Sequence, residues 1–260
     1  MTQLFTDADR PQKTWLITPS FCKWTLLEQQ LLFLVGKKGG AEHVIIDNHY
    51  PIQKTKNHEN IRSLANEFGC TYVDSGKDLG LHRGINHAAV VLGVKPDDVV
   101  IGCDPDDRPS DGFVEATRDV MTADKSIAVL ALMFWVIDQR LEQGVAFKKE
   151  TIAGREVLIH PSIEMWNICG FNWGLVTSMG GLNQTRPYYG GLESALYGAW
   201  HDKKMSLAYL KDFRSDVVAV DHTVKKYFDP EYRAWKTAHV DGFNGSFEQW
   251  LALNSPWSLT

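Results

Sequence analysis

Four cysteines in 260 residues, none of them in a Cys-x-x-Cys pair, are too few and too scattered for a disulfide framework or a cysteine zinc site. Cys22, Cys70, Cys103 and Cys169 read as reduced, mostly buried thiols of a cytoplasmic protein. No Gly-x-Gly-x-x-Gly follows a strand signal, which argues against a dinucleotide-binding dehydrogenase, and no Walker A loop is present. The longest apolar run, Ile127 to Ile137, has eleven residues. That is too short to cross a bilayer and suits a buried strand. The polar, acidic start from Met1 to Arg10 does not read as a signal peptide. A net charge of -5 gives no sign of a broad nucleic-acid-binding surface. There is no repeat, no low-complexity stretch and no Pro-, Gly- or Ser-rich linker. What is there is 44% hydrophobic and 23% charged, enough for one continuous unit with a sizeable core.

The first half alternates strand and helix signals. Trp15 to Pro19 reads as a strand stopped by proline, and Thr25-Leu26-Leu27-Glu28 as a capping box opening a helix. His43 to Asp47 is the second strand. Ile61, Leu64, Ala65 and Phe68 mark one helix face, closed by Gly69. Thr71 to Asp74 is a third strand. Ile85, Ala88, Ala89 and Leu92 mark a further helix, closed by Gly93, and Asp98 to Cys103 is a fourth strand. This order predicts a mostly parallel central sheet flanked by helices, which binds ligands at the carboxyl ends of its strands. Those ends carry Thr18, Asp47 and the cluster Asp104-Pro105-Asp106-Asp107. Crowded carboxylates on a sheet rim suit a hard cation shared with phosphates, whereas the same residues alone would read as a turn.

The second half holds six of the eight tyrosines, most of which read as core packing. Strands are expected at Ile127 to Ile137, Glu156 to Ile159 and Trp166 to Val176. Helices are expected at Gly191 to Trp200 and Glu231 to His239.

Four segments carry a resemblance: Ile17-Thr18-Pro19-Ser20, Val44-Ile45-Ile46-Asp47, Gly80-Leu81-His82-Arg83-Gly84-Ile85-Asn86 and Asp104-Pro105-Asp106-Asp107. In order and spacing, over residues 13–112, they resemble the nucleotide-binding half of GT-A fold glycosyltransferases, especially family 2. Gly190-Gly191-Leu192-Glu193 is similar to that family's later glycine-rich stretch. The chain departs from the pattern at Asp78, where the family usually has Asn. It departs again at Glu193, a single acid followed by Ser194.

The resemblance implies an α/β GT-A-like (Rossmann-like) domain over residues 1–260. Residues 11–123 would form the nucleotide-sugar half and residues 124–260 the acceptor half. It implies metal-dependent transfer of a sugar from a nucleotide-diphosphate sugar, with UDP the expected nucleotide, to an acceptor hydroxyl. Asp106 and Asp104, with His222, would hold Mn²⁺ or Mg²⁺, and Asp107 is a reserve ligand or faces water. Thr18, Pro19 and Asp47 would contact the nucleoside, Asp104 the ribose, and Lys77 and Arg83 the phosphates. Glu193 would be the general base of an inverting displacement, because no separate nucleophile is evident. Trp166, Trp173, Tyr188 and Tyr189 are candidate acceptor platforms. The acceptor is a glycan, a small molecule or, as a minority option, a hydroxylated base in DNA. The alternatives are a nucleotidyltransferase of related fold, which lacks support because Thr18 to Lys23 contains no glycine, and a non-catalytic nucleotide-sugar-binding module.

Overall fold

A computed structural model describes residues 10–20, 24–48, 56–76, 79–160, 168–178, 181–182 and 206–217. The side chains of residues 56, 57, 80–82, 136, 160 and 217 are outside that description. Lys77, Trp166, Tyr188, Tyr189, Glu193 and His222 lie outside the described residues, as do the two helices expected after residue 190.

The chain begins as the sequence predicts. Strand β1 (Thr14–Ser20) is followed by α1 (Trp24–Phe33), β2 (Glu42–Asp47), α2 (Lys56–Glu67), β3 (Thr71–Asp74), α3 (Gly80–Val91) and β4 (Val99–Cys103). A short β5 (Asp107–Pro109) leads to α4 (Phe113–Ala123), β6 (Ile127–Met133) and α5 (Trp135–Glu142). Then come β7 (Lys148–Ile152), β8 (Arg155–His160), β9 (Ile168–Asn172), α6 (Trp173–Ser178) and β10 (Ser206–Val217).

The strands form one sheet in the order β3-β2-β1-β4-β9-β6-β10-β8-β7, with β5 paired to β10. Pairing is parallel throughout β3-β2-β1-β4. Every residue of β1 and β4 is buried, because helices cover both faces of this part. One face packs α3, through Ile85, Ala88 and Ala89, on Ile17, Val44 and Ile46. On the other, α1 and α2 pack Leu27, Leu31, Ile61, Leu64 and Ala65 on Ile45. Beside them α4 packs Phe113, Val114, Val120 and Met121 on Leu16, Ile101 and Leu130. Gly69 ends α2 at φ +62°, the left-handed cap for which glycine carries no Cβ penalty.

Beyond β4 the sheet is mixed. β9 runs antiparallel to both β4 and β6, so β4 and β6 point the same way. β10 runs parallel to β6 and antiparallel to β8 and β5.

Four local expectations are corrected. The apolar run from Ile127 is a strand only to Met133; Trp135 to Ile137 belong to α5. A continuous apolar run does not distinguish strand from helix, and the break comes where Phe134 is still extended and the helix starts beside it. The run from Trp166 to Val176 likewise divides, with a strand from Ile168 to Asn172 and then α6. Thr25 lies inside α1 rather than at its cap, so the capping-box reading does not hold. Pro19 does not stop β1, which continues to Ser20. Pairing with β4 ends at Ile17, so Pro19 has only β2 beside it, and its missing N–H interrupts no second ladder.

Candidate functional site

The parallel register sets the rim. Ser20, Asp47 and Asp74 are level across β1, β2 and β3. Asn48 continues this line by donating its N–H to the Ser20 carbonyl at 3.1 Å, and Ser75 donates to the Asp47 carbonyl at 3.2 Å. The end of β4 delivers Asp104 to Asp107 to the same rim.

Asp47 is fully buried and serves as a hub. Its Oδ2 lies 2.7 Å from His58 Nδ1 and accepts a hydrogen bond from the Tyr72 hydroxyl at 2.9 Å. Burial first, and then the Asp47 charge, raise the Tyr72 pKa, so the phenol stays a donor. A cleft of about 390 Å³ opens beside this hub, lined by His58, Arg62, Ser63, Asn66, Tyr72 and Asp74. Thr18 is also fully buried, but its hydroxyl is engaged 3.0 Å from His43 Nε2, on the sheet face rather than at the rim. Pro19 is buried in β1.

Arg83 sits in the first turns of α3 and is 3% exposed, an unusual depth for a guanidinium. Gly84 beside it admits the buried Asn48, since a Cβ there would lie 3.0 Å from Asn48 Oδ1. One turn on, Asn86 grips the backbone of Leu182. Its Nδ2 donates to the Leu182 carbonyl at 3.0 Å, and its Oδ1 accepts the Leu182 N–H at 3.0 Å.

The acid cluster is a closed turn. Asp107 N–H donates to the Asp104 carbonyl at 3.0 Å, and Asp104 N–H donates back to Asp107 Oδ2 at 2.9 Å. Ser215 of β10 donates to Asp107 Oδ1 at 3.3 Å. Asp107 is 1% exposed, which corrects the expectation that it faces water. Burial pushes its carboxyl well above the usual range, and the neighbouring Asp104 and Asp106 push further. Asp104 and Asp106 are half-buried. Gln30, fully buried in α1, donates through Nε2 to the Asp104 carbonyl and to Cys103 Sγ at 3.1 Å. The structure thus separates the three acids: Asp107 holds the turn while Asp104 and Asp106 remain at the rim.

Sequence reasoning missed Gln30, His58, Tyr72 and Ser215. His58 stands 11 positions from Asp47 and Ser215 stands 108 from Asp107, so no short motif joins them. Trp173, expected as an acceptor platform, is 2% exposed and packs in the α3-side core. Among the described residues no group of three His, Cys, Asp or Glu side chains is arranged to hold a metal ion.

A parallel four-strand half, an antiparallel strand inserted after it and an acid turn at the end of β4 define a GT-A-like α/β fold. No protein-family model matches the chain, and no curated protein matches it in sequence. Solved structures match in shape. The crystal structure of GalNAc-T7 with UDP, GalNAc and Mn²⁺ superposes with a TM-score of 0.61 at 11% identity, covering 80% of this chain and 44% of that one. The mannosyltransferase PcManGT from Pyrobaculum calidifontis, in complex with GDP-Man and Mn²⁺, gives a TM-score of 0.55 at 14% identity, covering 97% of this chain and 73% of that one. The chain therefore spans less than half the length of the GalNAc-T7 chain. At these identities the likeness establishes the fold.

Proposed function

We propose that the chain is a metal-dependent glycosyltransferase that moves a sugar from a nucleotide-diphosphate sugar to an acceptor hydroxyl. The observation that carries this reading is the acid turn of Asp104 to Asp107, set on the same rim as the buried Asp47 hub. Fold likeness to glycosyltransferase structures in complex with UDP or GDP-Man and Mn²⁺ supports it.

The residues fit a divalent cation of the kind that keeps open positions. Mg²⁺ and Mn²⁺ commonly bind through one or two carboxylates and take their remaining ligands from substrate phosphates. Asp104 and Asp106 supply that pair, and their charges add to burial, the larger cause, in raising the carboxyl of Asp107. When bound, such an ion neutralises charge gathering on the departing diphosphate. His222 is proposed as a further ligand.

The protein's own residues do the rest. Asp47, fixed by His58 and Tyr72, is the proposed nucleoside contact, with Thr18 and Pro19 beside it in the sheet, all three being buried in this structure. Asp104 is proposed to contact the ribose as well as the ion. Arg83 and Lys77 bring positive charge to the phosphates. Glu193 takes the proton of the acceptor hydroxyl as that oxygen bonds to the anomeric carbon and the bond to the diphosphate breaks. Direct displacement inverts the configuration. UDP is the proposed nucleotide, and a glycan or small molecule the proposed acceptor. The buried free thiols Cys70, Cys103 and Cys169 support a reducing, cytoplasmic setting. No described helix is long and apolar enough to cross a membrane.

The test is a screen of UDP- and GDP-sugars for Mn²⁺-dependent hydrolysis, repeated with Asp106→Ala. The variant is expected to lose roughly 100-fold or more of the rate, the scale of an effect worth several kcal/mol. Unchanged hydrolysis would overturn the metal assignment. Tight nucleotide binding with no turnover of any donor points instead to a binding module.

A further inference from the structure

Trp135 is 61% exposed, although tryptophan combines a large apolar ring with a single donor and is highly buried on average. Its position is set by strand register. Gly102 of β4 and Ala131 of β6 both pair with Cys169 of β9, so β4 and β6 run level and in the same direction. The chain leaves β4 at Cys103 and enters the acid turn. It leaves β6 at Met133, and Trp135 opens α5. Two inter-strand spacings separate these exits, or about 10 Å.

The end of β10 ties the two together. Arg214 pairs in register with Met133, and its guanidinium donates to both Asp138 oxygens of α5, at 3.2 and 2.5 Å. Arg214 N–H donates to Ser110 Oγ at 2.8 Å, just beyond β5. The next residue, Ser215, donates to Asp107 of the acid turn. Phe134, 2% exposed, anchors the start of α5 in the core. The start of α5 is therefore anchored one strand beyond β9, near the acid turn, and the indole it carries is largely exposed.

We infer that Trp135 is a platform on which the apolar face of a pyranose ring of a carbohydrate acceptor stacks. This rests on the glycosyltransferase reading, which puts the transferred sugar at the acid turn and requires the acceptor next to it. An exposed ring of large area on a short side chain gains binding energy with little loss of side-chain freedom. An unrelated small-molecule acceptor without a ring face has no use for it.

The test uses the full chain with Mn²⁺ and, in turn, UDP and GDP. Cellobiose, chitobiose, maltose and mannobiose are probed by saturation-transfer difference NMR against wild type, Trp135→Ala and Trp135→Phe. At least one disaccharide is expected to bind wild type through its ring C–H protons. Its affinity should fall at least about tenfold in Trp135→Ala, stay within about threefold in Trp135→Phe, and leave the melting temperature unchanged. Affinity unaffected by Trp135→Ala, or no binding of any of the four sugars, overturns the inference. So does a sedimentation shift showing that Trp135 instead seals a contact between two copies of the chain. Calorimetry with UDP and GDP on the same samples keeps the two readings apart. Absent nucleotide affinity sinks the transferase reading but leaves a Trp135-dependent sugar signal standing. Normal nucleotide affinity with Trp135-independent sugar binding sinks only the platform.

Discussion

Acid is expected to unfold this protein partly through one histidine. His43 is 3% exposed in β2, 3.0 Å from the Thr18 hydroxyl and 3.5 Å from Cys70 Sγ. Burial first, and then the Lys38 charge, lower its pKa from 6.5 to about 3. The imidazole is therefore neutral in the folded protein across the physiological range. In the unfolded chain it takes up a proton below about pH 6.5, and the folded state does not follow until about pH 3. Stability is accordingly lost as pH falls through that window. Between pH 7 and pH 5 the loss from this residue is about 2 kcal/mol, since each unit of pH below the unfolded pKa contributes about 1.4 kcal/mol. Carboxylates titrate in the same range, so the assay is a comparison. Urea unfolding of wild type and His43→Gln is followed at intervals from pH 7.5 to pH 4.5. The variant will be less stable at pH 7, having lost a fitted hydrogen-bonding partner for Thr18. The gap between the two should then close by about 2 kcal/mol on going to pH 5. Parallel pH curves, with a constant gap, would refute the reasoning.

A buried carboxylate lies at the amino end of β4. Asp98 accepts hydrogen bonds from Arg10, from the Trp15 indole at 2.9 Å and from the Lys13 and Lys95 N–H groups, and these outweigh burial to keep its pKa below normal. Asp98→Ala should cost about 3 kcal/mol and lower the melting temperature by roughly 6–12 °C; a change under about 1 kcal/mol contradicts the network. A Cβ at Gly170 would lie 2.4 Å from Thr117 Cγ2 and 2.9 Å from Met121 Sδ, so Gly170→Ala should destabilise by about 1–3 kcal/mol in denaturant titration. Asn86→Ala leaves the Leu182 N–H and carbonyl without their partners, and hydrogen exchange at the Leu182 amide should accelerate while that of β4 is unchanged.

Much of the first half was legible because its signals are local. Ile61, Leu64 and Ala65 recur at helical spacing and are buried on one face; Gly69 and Gly93 take the positive φ that their positions after a helix suggest. The second half was less legible, because a continuous apolar run is compatible with either element. Ile127 to Ile137 divides at Phe134, and that division is what brings Trp135 to the surface. The aromatic choice failed for the same reason: Trp173 is turned into the core by α6, which sequence periodicity did not reveal.

The sequence by itself determined that the first four long strands run parallel and that Asp47 and Asp104 to Asp107 reach one rim; their order, β3-β2-β1-β4, came from the structure. Strand direction follows from alternating strands and helices, and parallel strands share their carboxyl ends. Only the tertiary structure decided which acids face the rim. Asp107 is buried because Ser215, 108 positions away, caps it, and Asp47 is oriented by a helix and an edge strand that meet only after folding. Whether a carboxylate serves the fold or a ligand depends on what surrounds it, and those surroundings come from distant parts of the chain.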